Sequence, residues 1–205
     1  MNRTLEELSG LAATCTRCRL SQGRTQVVFG VGSPTADIVF VGEGPGYHED
    51  KQGEPFVGAA GQLLTRMLGE IGLRREDVYI CNVLKCRPPG NRDPLPDEVV
   101  ECTPYLQGQI DLIDPSVIVT LGNFATRFVL GRQVSISRVR GQRLHVDGRV
   151  VIPTFHPAAI LRGGGAAGSQ MAALRSDFQE VRAVIEDARR PVAAVVSAEE
   201  QLGLF

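Results

Sequence analysis

The sequence is marked first by what it lacks. No apolar run approaches the roughly 20 residues that a bilayer-crossing helix needs. Glu6 and Glu7 interrupt any signal-like apolar core near the N-terminus. These absences predict a cytoplasmic protein, in which five cysteines are better read as thiols or metal ligands than as disulfides. Charge of one sign is missing too: the net charge is −1, so any nucleic-acid contact must come from a local basic patch. There are no internal repeats, and no Gly-Lys-Ser or Gly-Lys-Thr, which excludes a Walker phosphate loop. What remains is ordinary: 205 residues, 43% hydrophobic and 22% charged, enough for one domain with a proper core and a tail.

Along the chain, short apolar runs alternate with helical stretches. Thr4-Leu5-Glu6-Glu7 has capping-box spacing, and Leu5, Leu8 and Leu11 recur at helical intervals. Ile38–Val41 reads as a strand that stops at the loop Gly42-Glu43-Gly44-Pro45-Gly46. Helices are expected over Gln62–Gly72, from Pro96, over Asn123–Leu130 and from about Gln170 to Arg189. Strands are expected over Val78–Leu84 and Val117–Leu121, with Asp147-Gly148 as a hairpin turn between Leu144–Val146 and Val150–Ile152. Such alternation predicts an α/β fold with a mostly parallel sheet covered on both faces. Ligands of these sheets sit beyond the strands' carboxyl ends, which singles out the segments after Val41, Leu84 and Ile152. Residues 1–190 read as the domain, Gly163–Gly168 as a mobile loop and 191–205 as a flexible tail.

Cys15 and Cys18 form a C-x-x-C pair, while Cys86 falls in a loop and Cys102 in the first turns of a helix. Four thiolates suit either a tetrahedral zinc or an iron–sulfur cluster, and the split spacing mildly disfavours zinc. Cys81 lies inside a strand and reads as a small buried hydrophobe. The glycine-rich loop is no dinucleotide fingerprint, because Tyr47 stands where the third glycine belongs. It is a tight turn at a strand end, close to Glu43, Glu49 and Asp50.

Together these residues resemble a known family. Gly42-Glu43-Gly44-Pro45-Gly46 with Glu49-Asp50, then Pro55-Phe56-Val57-Gly58 and Gly61-Gln62-Leu63-Leu64, look like the first motif of the iron–sulfur uracil-DNA glycosylases called family 4. Asn82-x-x-Lys85-Cys86-Arg87-Pro88-Pro89-x-Asn91-Arg92 resembles the next motif, and His156-Pro157-Ala158-x-x-Leu161-Arg162 the third. The resemblance covers about Leu8 to Arg182. It implies a single-domain, three-layer α/β/α fold with a central four-stranded parallel sheet, and a [4Fe-4S] cluster on Cys15, Cys18, Cys86 and Cys102.

The resemblance also implies a monofunctional enzyme that flips uracil from DNA, hydrolyses its N-glycosidic bond and leaves an abasic site. Phe56 is then the stacking platform, Asn82 the reader of the Watson–Crick edge, and the backbone of Gly42, Glu43 and Gly44 the support for O2. His156 is placed to stabilise charge on O2, and Glu43 the water or the sugar cation, with Glu49 as a rival for that second role. Either Glu49 or Tyr47 would exclude thymine. Lys85, Arg87, Asn91, Arg92 and Arg162 are expected on DNA, joined by Arg138 and Arg140, with Leu161 as an apolar wedge. The protein is expected to act as a monomer. Its last residues, Gln201-Leu202-Gly203-Leu204-Phe205, resemble the peptide by which bacterial repair proteins hold the sliding clamp. The rivals are an iron–sulfur protein that binds uracil-DNA without turnover, and an electron-transfer protein; the second leaves Phe56, Asn82 and His156 unexplained.

Overall fold

A computed structural model describes residues 3–163 and 168–189 of the chain. Residues 164–167 of the expected mobile loop lie outside the described residues, as does the whole tail with Gln201, Leu202, Leu204 and Phe205. Among the described residues no helix is long and apolar enough to cross a membrane.

The helices are α1 (Leu5–Ala13), α2 (Tyr47–Gln52), α3 (Ala59–Glu70), α4 (Pro96–Ile113), α5 (Gly122–Leu130), α6 (Ile136–Val139), α7 (Pro157–Arg162) and α8 (Ser169–Arg189). The strands are β1 (Val31–Gly32), β2 (Ile38–Gly42), β3 (Tyr79–Asn82), β4 (Val117–Leu121), β5 (Leu144–Val146) and β6 (Arg149–Thr154). They form a six-stranded sheet in the order β1-β3-β2-β4-β6-β5. The expected four-stranded parallel sheet is its centre, β3-β2-β4-β6. Correcting that expectation, β1 and β5 add an antiparallel strand at each edge, so the sheet is mixed. The β5–β6 hairpin turns at Asp147 and Gly148, whose φ values of 49° and 80° suit a primed two-residue turn.

Alternation along the strands builds two cores. Ile38 and Phe40 of β2 face one side, where α3, α7 and α8 pack; Phe40 and Phe178 stack with ring centroids 5.9 Å apart. Val39 and Val41 face the other side, beneath Leu106 and Ile113 of α4 and Ala125 of α5. Sheet residues buried on both sides confirm the α/β/α layering. Each fully buried large aliphatic or aromatic side chain contributes about 1.5–3 kcal/mol.

Helix α1 begins as its capping box predicts: Thr4 Oγ1 accepts from Glu7 N at 3.1 Å, and Glu7 Oε2 from Thr4 N at 2.8 Å. It presses on α4 at Gly108, where a Cβ would come within 2.7 Å of Leu8 Cδ2. That contact brings the Cys15–Cys18 segment towards the helix that carries Cys102. The tight turn expected after β2 is irregular from Glu43 to Gly46, and Glu49 and Asp50 fall on the short helix α2 that follows it, closed by Gly53 at φ 75°.

Candidate active site

Strands β2 and β3 end side by side, with Gly42 in register with Asn82. A Cβ at Gly42 would lie 2.3 Å from Asn82 Oδ1 and 2.6 Å from Phe56 Cζ, so only glycine lets ring and amide meet there. Phe56 itself has φ 55°, a left-handed backbone that is an outlier for a bulky residue. Several contacts hold it. Glu49 Oε1 accepts from the Val57 and Gly58 amides at 3.0 Å each. Arg75 donates to Pro55 O at 2.8 Å and Phe56 O at 3.1 Å. Gly61 leaves room for the turn, since a Cβ there would lie 1.7 Å from Phe56 O. The Pro-Phe-Val-Gly-x-x-Gly pattern is thus a strained turn with its braces.

These residues face a cavity of about 610 Å³, lined by Glu43, Gly44, Glu49, Phe56, Asn82 and His156 among others. The His156 and Phe56 rings lie 5.7 Å apart, inclined by 32°. His156 caps the start of α7, and its Nδ1 accepts from Ala158 N at 3.1 Å. A neutral ring with Nδ1 as acceptor carries its proton on Nε2. Burial, reinforced by the Arg162 guanidinium and opposed by Glu49, lowers its pKa to about 4, so the ring is neutral at pH 7. Glu43 moves the other way: burial and Asp93 raise its pKa, against the pull of Arg162.

Asn82 is the most telling member. It is 1% exposed, and its Oδ1 is buried with no hydrogen-bond partner. An orphaned buried acceptor costs about 1–3 kcal/mol, so it calls for a donor that the protein does not supply.

Lys85 corrects the expectation of a phosphate contact. It is 2% exposed, and its Nζ donates to Asn82 O at 2.7 Å and Gln109 Oε1 at 2.5 Å. A buried ammonium needs such partners, and these leave none of it at the surface. Arg140, expected near DNA, instead binds Asp177, which also accepts from the Thr154 hydroxyl at 2.6 Å. Arg138 is exposed but does not line the cavity. Asn91, Arg92 and Arg162 do line it, and Arg92 is shared with buried Glu98. Leu161 is 42% exposed on α7. Of the two proposed thymine barriers, Glu49 lines the cavity and Tyr47 does not. The sequence reading missed Asn123, Phe124, Arg127 and Phe155 in the lining. Applying the carboxyl-end rule to β4 as well would have found the first three.

Three of the cysteines other than Cys81 pack together beside the loop after β3, and Cys15 lies with Leu8, Ala12, Phe29 and Tyr105. Cys86 and Cys102 are buried with Leu20 and Leu84, and Cys18 packs against them. All are free thiols. Arg24 donates to Cys86 Sγ at 3.5 Å and to Cys15 O at 2.6 Å. Burial raises the Cys15 thiol, but hydrogen bonds from Tyr105 and Arg17 outweigh it and the net shift is downward. Among the described residues no three His, Cys, Asp or Glu side chains are grouped for a single metal ion.

Residues 29–182 match the family model of the uracil DNA glycosylase superfamily, and the chain belongs to that family. More narrowly, it is similar to three proteins named type-4 uracil-DNA glycosylase. That of Thermotoga maritima is 54% identical over 160 residues, which span 77% of this chain and 83% of the relative. That of Archaeoglobus fulgidus is 52% identical over 166 residues, 77% of this chain and 83% of the relative. In Sulfurisphaera tokodaii the figures are 46% over 188 residues, 87% and 84%.

Proposed function

We propose that the protein is a monofunctional uracil-DNA glycosylase of base excision repair. The observation that carries the reading is the buried, partnerless Asn82 Oδ1 beside Phe56 and His156. A base inside a duplex is out of reach, so the nucleotide must rotate into the cavity. Uracil stacks on Phe56, gives its N3–H to Asn82 Oδ1 and accepts at O4 from the same amide. Cytosine has no N3–H and an amine at C4, so it leaves both groups unpaired and is rejected. Glu49 stands where it blocks a methyl at C5.

Cleavage sends the C1′–N1 bonding pair into the uracil ring, leaving an oxocarbenium-like sugar. The backbone from Gly42 to Gly44 supports the O2 side. His156 Nε2–H donates to O2 as negative charge develops there, while Nδ1 of the neutral ring keeps accepting from Ala158 N. Glu43 faces the cation and orients the water whose oxygen bonds to C1′. Lys85 is buried and engaged, and Lys51, the other lysine of the chain, does not line the cavity, which leaves no lysine amine in it to attack the sugar. Arg87, Asn91, Arg92 and Arg162 would bind DNA, and Leu161 would fill the gap left by the flipped base.

Cys15, Cys18, Cys86 and Cys102 fit a [4Fe-4S] cluster: all four are sulfur donors, Cys18, Cys86 and Cys102 pack together, and Arg24 links Cys86 Sγ to the Cys15 carbonyl. When bound, such a cluster supplies a cross-link between the N-terminal segment, the loop after β3 and α4. The enzyme would work in the cytoplasm, with residues 191–205 as a tail that carries Gln201, Leu202, Leu204 and Phe205 to a sliding clamp. Deleting the last five residues should abolish clamp binding and spare excision from a short oligonucleotide.

The test of the function is uracil release from a duplex with one U·G pair, read by alkali cleavage at the abasic site. Wild type should cleave, and Asn82→Ala and His156→Ala should not. No cleavage by fully clustered wild-type protein overturns the reading.

A further inference from the structure

Among the described residues no other tyrosine or phenylalanine ring is as open as Tyr47, which is 52% exposed. It begins α2, next to Gly46, and Gly46, Pro88 and Asn91 all line the cavity, so the ring stands on its rim. Two cations attend it. The Arg87 guanidinium carbon is 5.2 Å from the ring centroid and Lys51 Nζ is 5.9 Å away. Both cations are held in place: Arg87 Nε donates to Asn91 Oδ1 at 2.7 Å, and Lys51 Nζ to Thr25 Oγ1 at 3.2 Å. Neither partner is a carboxylate, so the positive charge stays available.

A lone exposed tyrosine is ordinary surface. An exposed ring with two positive charges not paired to carboxylates, beside a cavity of about 610 Å³ that has room for a whole nucleotide, is a composite of another kind. It offers a π-face for a second base and cations for the phosphate that joins two nucleotides. We propose that Tyr47, Arg87 and Lys51 form a second nucleobase subsite, which stacks the base flanking the flipped uridine and holds the phosphate between them. The subsite rests on the glycosylase reading. It also gives Tyr47 a role in place of the thymine barrier, because Glu49 lines the cavity and Tyr47 does not.

Single-stranded oligonucleotides carrying 2′-fluoro-2′-deoxyuridine, whose sugar resists cation formation, provide the test. One has 2-aminopurine on the 5′ side of the uridine and another on the 3′ side. Stacking on the ring quenches 2-aminopurine. Bound to wild type, one of the two probes should be about twofold dimmer or more than when bound to Tyr47→Ala, with Tyr47→Phe behaving as wild type. On a short cleavable single strand Tyr47→Ala should raise KM roughly tenfold, the loss falling on KM rather than on the saturated rate. Tyr47→Phe should restore it. Equal fluorescence and equal KM in Tyr47→Ala would sink the subsite. So would a fall in saturated rate with new release of thymine, which would make Tyr47 the barrier after all. Wild type that releases no uracil from the cleavable strand brings down the glycosylase reading itself. Normal release with unchanged probes brings down the subsite alone.

Discussion

Two buried polar groups beside the carboxyl ends of sheet strands, one on α8 next to β6 and one on β3, behave in opposite ways. Asp177 is 1% exposed, and its carboxylate is fully used by Arg140 and by the Thr154 hydroxyl at the end of β6. Asn82 is equally buried at the end of β3, yet its Oδ1 has nothing. The first arrangement closes on itself and braces the approach to His156. The second is open on one side, and that side is the cavity. A complete network supports the fold, whereas an incomplete one marks where the fold expects a guest.

Asn82→Leu separates the two most sharply. Removing the orphan acceptor should cut uracil release by about 10²–10³-fold while the melting temperature holds or rises. A large loss of stability would show that Asn82 belongs to the closed kind of network. Asp177→Ala should do the reverse. It strips a buried partner from Arg140, costing on the order of 3 kcal/mol, or roughly 10 °C in thermal melting. Melting unchanged within a degree or two would mean that this network braces nothing.

Lys85→Met comes next. It leaves Asn82 O and Gln109 without their donor, and a loss of about 1–3 kcal/mol in denaturant unfolding is expected. Salt dependence of DNA binding should not change, because the ammonium is buried; a shallower salt slope would return Lys85 to the phosphates.

The pH profile gives the subtlest effect. His156 titrates at about 4, below its ordinary 6.5, so the unfolded chain takes up its proton first as pH falls. Stability from this group is complete above about 6.5 and declines towards 4. Uracil release should therefore show no histidine limb near 6.5. Its acid limb should instead report Glu43, above the usual carboxylate range, and Asp93→Asn should move that limb to lower pH. A limb that stays put in Asp93→Asn would remove Glu43 from the titrating step.

Much of this was legible in the residues. Strand β4 falls on Val117–Leu121 as read, and the Thr4 capping box and the Asp147-Gly148 hairpin form as expected, because each is a local signal. The parallel centre of the sheet was also readable, and its β5 edge through the hairpin, but not the antiparallel edge at β1, which is two residues long and carries no periodic pattern. Lys85 misled because its burial depends on Gln109, 24 positions away, and no spacing rule announces that meeting. The cavity residues after β4 were missed although the rule that found the others applied equally to them.

The left-handed backbone at Phe56 carries one more consequence. Glu49, Arg75 and Gly61 fix the turn before any DNA arrives, so the ring has no search to make when a base is swung in. The conformational cost of the platform is met during folding, and little ordering of that turn is left for the moment of capture.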